Sequence, residues 1–499
     1  MEVLLLFSVF VIATCGLIYE LVAGTLASYL LGDSVTQFST IIGAYLFSMG
    51  IGAYLSRFFK KELLGWFIQL EILVGLIGGI SSALLFLLFE HAASFRLILY
   101  LLVGLTGILV GLELPLLMSI LKNRYEFRDL VSRVFTFDYI GALLASIVFP
   151  LMLVPYFGLI RTSCFFGILN VVVAVIVCTR FRTEIKWAAY LKVKAVAVML
   201  LLCGIFWWAN DIMSFSETQV FRDPVIFSHS SPYQRIVLTR SKTDLRLYLN
   251  GNLQFSSMDE YRYHEALVHP VMMYSPRHSR VLILGGGDGM AAREILKYPD
   301  VTEVTLVDLD PAMTKLFRQN YLLTKLNNYS LLSPKLQVVN ADAFQWLKEN
   351  KTVYDLVIVD FPDPSNYAVG KLYTTAFYRQ LQHALTDSSV LVVQSTSPFV
   401  APKAFWCVNA TLLSCGYQTI PYHTYVPSFG EWGYVMASPR GLQVQHTMLP
   451  EGLRYFSAAV FPQMCLFTAD MDKRRVQVNH LNNQVLVQYF EDEWGKYQE

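Results

Sequence analysis

The chain has 499 residues, 54% of them hydrophobic and only 15% charged, with a mean hydropathy of +0.44. A single water-soluble globule of this size is excluded by so apolar a composition. The net charge is +1, with no Lys/Arg-rich block and no basic aromatic stripe, so no nucleic-acid partner is expected.

The apolar excess lies in the first part of the chain. Up to about Ala209, long apolar runs alternate with short charged loops, and seven membrane-spanning helices are predicted: about Val3–Leu31, Phe38–Phe59, Leu63–Phe89, Phe95–Leu121, Val134–Val154, Thr162–Thr179 and Val193–Ala209. Most exceed the roughly 20 apolar residues that a bilayer needs. The first run has no basic leader and is too long for the apolar core of a signal peptide, so it is expected to stay as a helix. A multi-pass protein of the cell membrane, with the lipid bilayer as a partner, is the expected setting.

Basic residues gather in the second loop (Arg57, Lys60, Lys61), the fourth (Lys122, Arg124, Arg128, Arg133) and the sixth (Arg180, Arg182, Lys186). The positive-inside rule puts these loops in the cytoplasm, which with seven spans would turn the following domain outward. Cys407, Cys415 and Cys465 have no framework spacing and point instead to a reducing compartment. An interfacial last segment, or one further span, would turn the domain inward. Glu20, Glu71, Glu113 and Asp138 fall inside the predicted helices, Glu113 beside the helix-perturbing Pro115. Intramembrane carboxylates are candidates for function; the alternative is an interfacial position or pairing with Arg.

After Asn210 the pattern changes to short strands. Tyr233–Thr239 and Leu245–Leu249 alternate as strands do, and Leu249-Asn250-Gly251-Asn252 is an Asn-Gly hairpin turn. Beyond this small β unit, strands Val281–Leu284, Val304–Asp308, Leu336–Val339, Leu356–Asp360 and Val390–Gln394 alternate with helical segments, the order of a doubly wound parallel sheet. Three domains are thus expected: residues 1–209 helical and transmembrane, 210–440 catalytic, and 441–499 a C-terminal extension.

The second domain is organised around Val281–Met290, VLILGGGDGM, an apolar strand running into a Gly-rich turn. Gly287, Gly289 and Ala292 fit a loose dinucleotide pattern, GxGxxA. Asp288, however, would repel a pyrophosphate that the following helix should attract, and argues for a cationic ligand. Its other reading is as a cap on that helix. Ligands of such sheets sit beyond the carboxyl ends of the strands, where this chain places Asp288, Asp308, Asp342, Asp360 and Asp363. Asp308, about twenty residues after the turn, suits ribose hydroxyls, and Asp342 an adenine amino group. Asp360 and Asp363 are paired carboxylates, able to take a proton from an amine and hold its cationic remainder. His264 and His269 are one residue too far apart for a zinc HExxH helix, and no metal is expected.

Residues from about Pro224 to Ser438 resemble the polyamine aminopropyltransferases, the spermidine synthase family. The matching stretches are Tyr233-Gln234, Gln254, Asp259-Glu260, Tyr263-His264-Glu265, the Gly285–Gly289 turn, Val307-Asp308-Leu309-Asp310, Asp342-Ala343, Asp360 with Asp363-Pro364, Tyr373 and Gln394. The membrane half is similar to the integral-membrane members of that family.

The resemblance implies a methyltransferase-type Rossmann-like fold. It also implies transfer of an aminopropyl group from decarboxylated S-adenosylmethionine to putrescine, giving spermidine and methylthioadenosine. It assigns Gln234, Asp308, Asp342 and Ala343 to the adenosine part, and His264 and Asp288 to amino groups. Asp360 becomes the proton acceptor and Asp363 its amine-binding partner. The implied partners are polyamine and nucleoside substrates, with no cofactor beyond the co-substrate and a homodimer left open. Two departures stand out: Asp308 replaces the family's usual Glu, and Ser365-Asn366-Tyr367 replaces its usual x-Gly-Pro. A different class, a polyamine-gated transporter or sensor, needs negative charge but no base, and an intact Asp360–Asp363 pair favours the enzyme. A methyltransferase is disfavoured by Asp288.

Overall fold

The computed structural model describes residues 2–31, 34–89, 95–122, 125–221, 223–446 and 448–498, so Arg124 of the fourth basic loop lies outside the described residues. The chain divides into two compact units, Met1–Val225 and Ile226–Glu499.

The first unit is helical: α1 (Glu2–Leu31), α2 (Ser34–Leu55), α3 (Leu63–Leu88), α4 (Phe95–Leu121), α5 (Phe127–Val148), α6 (Gly158–Arg180), α7 (Ala188–Trp207) and α8 (Ala209–Val220). Among the described residues, six continuous helical stretches are long and apolar enough to cross a bilayer. One of them, the 54-residue stretch Phe127–Arg180, holds both the fifth and the sixth expected spans, as α5 and α6, which meet α1 at the same level: Thr14 Oγ1 donates to the Gly141 carbonyl of α5 and the Cys15 thiol to the Phe166 carbonyl of α6. Between them a π-helical segment, Phe149–Phe157, carries Pro150 and Pro155 and ends at Gly158, whose φ of 72° breaks the helix before α6 continues. Close approach of the helices rests on small residues. A Cβ on Gly75 of α3 would lie 2.7 Å from the Gly167 carbonyl of α6, and one on Gly111 of α4 would lie 2.2 Å from the Met49 carbonyl of α2.

The second unit opens with a four-stranded sheet of β1 (Val225–Ser230), β2 (Arg235–Arg240), β3 (Leu245–Leu249) and β4 (Asn252–Ser256). Its β3–β4 turn has Asn250 at φ 51° and Gly251 at φ 83°, the left-handed pair that an Asn-Gly hairpin turn requires. Helix α9 (Glu260–Tyr274) then leads to a seven-stranded sheet.

That sheet contains β5 (Arg280–Gly285), β6 (Glu303–Asp308), β7 (Leu336–Asn340), β8 (Tyr354–Asp360), β9 (Leu385–Gln394), β10 (Gln418–Val426) and β11 (Gly430–Ser438), in the order β10-β11-β9-β8-β5-β6-β7. Strands β5 to β9 are parallel, but β10 and β11 run antiparallel, which corrects the expectation of a wholly parallel sheet. Val281 and Ile283 of β5 pack into the core on one face, and Leu282 and Leu284 into the core on the other, as a central strand covered on both sides must.

The tail after Ser438 is part of this unit rather than an appendage. Phe456, Phe461 and Met464 complete the first core, and Val485 and Leu486 the second. Glu265, buried on α9, accepts the backbone amides of Arg454, Tyr455 and Phe456, each at 2.8 Å.

Candidate active site

The Gly-rich turn lies between two strand ends. Gly285, at φ 86°, pairs with Asp360 across β5 and β8, and a Cβ there would sit 2.1 Å from the Asp360 carbonyl oxygen. A Cβ on Gly287 would sit 2.6 Å from Asp308 Oδ2. Glycine is therefore what allows the ends of β5, β6 and β8 to crowd their carboxylates around one turn.

Asp308 closes β6 and is held from both sides: Gly287 N donates to its Oδ2 at 3.0 Å and Asp310 N to its Oδ1 at 2.8 Å. Burial pushes its carboxyl up to about 6 against these donors. The amide of Gln234 donates to Asp310 Oδ2 at 2.9 Å, and Asp310 also caps the helix α11 (Pro311–Gln319) through Ala312 N. Asp342 precedes the helix Ala343–Glu349 and caps it, its Oδ1 accepting from Phe344 N and Gln345 N. Ala343, the first residue of that helix, is buried. Lys371 donates to Asp342 Oδ2 at 2.6 Å, a contact the sequence did not disclose. Partial burial would raise the Asp342 carboxyl, but Lys371 and the two amides hold it below the usual carboxylate range.

Asp288 makes the helix-capping contact offered for it. Its Oδ1 accepts from Met290 N at 2.9 Å, capping the start of α10 (Met290–Ile295), while its Oδ2 lies 4.0 Å from His264 Nε2. The His264 ring is buried, and its Nδ1 donates to the carbonyl and to Oε2 of Glu260, both at 2.8 Å. Arg293 grips the same Glu260 carboxylate with two nitrogens, at 2.9 and 2.8 Å. Burial alone would depress the imidazole; the bond to Glu260 outweighs it and holds His264 above the ordinary histidine value. The tautomer is thereby fixed, with Nε2 turned toward Asp288.

Asp360 ends β8 with Oδ1 accepting the Tyr263 hydroxyl at 2.5 Å. Burial, reinforced by the Asp288 charge, pushes its carboxyl up to about 6. Asp363 is pushed up to about 7 by burial, with Gln394 Nε2 donating to its Oδ1 at 3.3 Å. Gln394 is itself fixed: its Nε2 donates to the Phe361 carbonyl at 2.7 Å, and its Oε1 accepts from Trp432 Nε1 at 3.2 Å. Buried Tyr373 donates to the Pro362 carbonyl at 3.1 Å, which holds the segment carrying Asp363. The arrangement gathers Asp360, hydrogen-bonded to Tyr263, with Asp308 and Asp363, all carboxylates whose ionisation burial makes costly, around the Gly-rich turn. His269, in contrast, turns to Glu294 and Tyr298 on another flank of α9, so the two histidines have separate partners.

Residues 260–446 match the family model of the spermine/spermidine synthase domain. The chain is 49% identical to the polyamine aminopropyltransferase of Leptospira interrogans over 99% of both chains. It is 52% identical to polyamine aminopropyltransferase 2 of Ralstonia nicotianae over 98% of both. This chain belongs to the polyamine aminopropyltransferases. Those matches extend through the helical unit, so the aminopropyltransferase relatives share the N-terminal half as well as the α/β half. A solved spermidine synthase in complex with the transition state analogue AdoDATO aligns with 55% of this aminopropyltransferase and 88% of its own chain, at 25% identity and a TM-score of 0.46.

Proposed function

We propose that this transferase moves the aminopropyl group of decarboxylated S-adenosylmethionine to putrescine, giving spermidine and methylthioadenosine. The observation that carries the reading is the Asp360 carboxylate, oriented by the Tyr263 hydroxyl and raised by burial and then by the nearby Asp288 charge. A neutral amine nitrogen of the acceptor attacks the carbon next to the sulfonium. The C–N bond forms as the C–S bond breaks, the electron pair goes to sulfur, and the leaving group departs as a neutral thioether. The nitrogen then carries one proton too many, and Asp360 is the group assigned to take it. No cofactor is required, because the sulfonium is already an activated leaving group.

Charge supports the choice of donor. Ordinary S-adenosylmethionine carries a carboxylate that Asp288 would oppose, whereas its decarboxylated form presents only an ammonium there. With Nδ1 facing Glu260, His264 in its neutral form offers Nε2 as an acceptor, so Asp288 and unprotonated His264 together suit that ammonium. Gln234, Asp308, Asp342 and Ala343 are assigned to the nucleoside and Asp363 to the second amine of the acceptor.

We read the helical unit as a multi-pass anchor in the cell membrane. Its support is the apolar side chains that unit leaves uncovered, among them Phe47 at 72%, Leu101 at 61%, Leu151 at 67% and Leu200 at 69% exposure, a surface that suits lipid and not water. The deciding experiment incubates purified protein with decarboxylated S-adenosylmethionine and putrescine and follows methylthioadenosine and spermidine by mass spectrometry. Formation of neither product overturns the reading.

A further inference from the structure

The turn that carries Asp360 and Asp363 leads into two short helical pieces, Tyr367–Gly370 and Lys371–Tyr373. Pieces of three or four residues do not hold their own shape. What holds these comes from the far end of the chain. Asn479 is 0% exposed, and all its polar groups are engaged there. Its Nδ2 donates to the carbonyls of Gly370 and Tyr373, at 3.3 and 3.1 Å, and its Oδ1 accepts from Leu486 N at 3.3 Å. Its backbone carbonyl accepts from Thr375 N at 3.0 Å, and its backbone amide donates to Thr411 Oγ1 at 3.0 Å. A carboxamide is needed for this, because it alone offers two N–H donors and an acceptor on so short a side chain.

A second contact is independent of Asn479. Gly370 has an ordinary helical φ of −54°, so its backbone does not require glycine. Space does: a Cβ there would overlap Val487 Cγ2 and stand 2.8 Å from Gln484 Oε1. Val487 is itself fully buried, in the first turn of the C-terminal helix Val485–Gln498. The tail is thus seated on the bare backbone of the segment that follows the acidic turn.

Tyr373 carries that contact to the site. Its ring is buried, and its hydroxyl donates to the carbonyls of Phe361 and Pro362 at 3.3 and 3.1 Å, the two residues between Asp360 and Asp363. Lys371 lies in the same segment, but it reaches Asp342 through a flexible four-carbon stem that absorbs a small backbone shift. A close-packed tyrosine ring transmits such a shift instead. We propose that Asn479 is a positioning residue for the transfer: by holding Tyr373 it sets where Asp363 meets the second amine of the acceptor, and it leaves the nucleoside side in place. The proposal rests on the assignment of Asp363 to that amine.

The test compares the full-length wild type with Asn479→Ser, Gly370→Ala, Val487→Ala and the double variant Gly370→Ala/Val487→Ala. It uses steady-state kinetics with putrescine, calorimetry with methylthioadenosine, and hydrogen exchange at residues 361–375. Asn479→Ser and Gly370→Ala should each raise the putrescine KM by about fivefold or more, leave the methylthioadenosine Kd within about twofold, and quicken exchange at 361–375. Val487→Ala makes room for the new Cβ, so the double variant should return the KM to within about twofold of the wild type. Loss of folding predicts the opposite, because a second truncation in the core only adds to the destabilisation. An unchanged putrescine KM in both Asn479→Ser and Gly370→Ala, an equal loss of methylthioadenosine affinity, or no rescue in the double variant would each overturn the proposal. A wild type that forms no spermidine defeats the transferase reading instead. Exchange then decides the positioning by itself: quickened in both single variants and slowed again in the double, it sustains the role of Asn479, and unaltered, it removes it.

Discussion

The hydroxyl of Tyr263 donates to Oδ1 of Asp360 at 2.5 Å, and a Cβ on Gly286 would stand 3.3 Å from the other oxygen, Oδ2. One oxygen is therefore committed to the protein, and the other is turned toward the Gly-rich turn. Burial and the Asp360 charge hold the Tyr263 phenol well above its usual value, so it remains a donor throughout the working pH range.

Asp360→Asn removes the proposed proton acceptor and leaves the residues proposed for the nucleoside in place. A rate loss of about 10²- to 10⁴-fold is expected, the usual worth of a general base. Methylthioadenosine affinity, measured by calorimetry, should stay near that of the wild type. A variant retaining more than half the wild-type rate would rule Asp360 out as the base.

Tyr263→Phe tests the orienting bond. Tyr263 donates to the carboxylate and so lowers the Asp360 pKa; without it the carboxyl should rise from about 6. The base is active only when deprotonated, so the wild-type rate should fall as pH drops through about 6. In Tyr263→Phe that acid limb should move to higher pH. An unmoved limb in the kcat/KM profile would mean that the tyrosine merely packs there.

Protonation of His264 acts on binding rather than on the base. Its imidazole is held above the ordinary histidine value, and once protonated it presents a donor where the substrate ammonium needs an acceptor. The Kd for decarboxylated S-adenosylmethionine should therefore worsen on acidification, while that for methylthioadenosine, which lacks the ammonium, should not. Asp288→Asn should narrow the affinity ratio between decarboxylated and ordinary S-adenosylmethionine. An unchanged ratio would remove Asp288 from the amine site.

Lys371 occupies the oxygen of Asp342 that an adenine amino group would use. Each partner is about a third exposed, at 31%, so the ion pair contributes at most about 1 kcal/mol. Lys371→Met should accordingly tighten methylthioadenosine binding by no more than about fivefold, as read by titration calorimetry. Weaker binding would instead make Lys371 a contact to the nucleoside.

The central strands and the acidic mouth were legible because each is specified locally. Runs such as Val281–Leu284 read as buried strands by their continuity, and three glycines followed by Asp288 mark the turn. Strand β10 escaped notice because Pro421 and scattered polar residues break its pattern; it is the edge strand, where a missing amide donor is tolerated. The Lys371–Asp342 and Arg293–Glu260 contacts were not legible, since 29 and 33 residues separate the partners and only the fold brings them together. The π-helical segment Phe149–Phe157 was not legible either: the fifth span was expected to run through Pro150 to Val154, and a wide helical turn has no signature in the sequence.

Because Glu265 binds the amides of Arg454–Phe456, and Leu486 is part of the second core, the order of synthesis matters. A ribosome releases Glu265 long before it makes the segment that satisfies it; the first core stays incomplete until Met464 emerges, and the second until Leu486 does. The helical unit is finished early, whereas the α/β unit must wait for its own end. Nascent chains stalled before residue 454 should therefore carry an open, protease-sensitive α/β half, and a stop codon that trims only the tail should cost the whole enzyme.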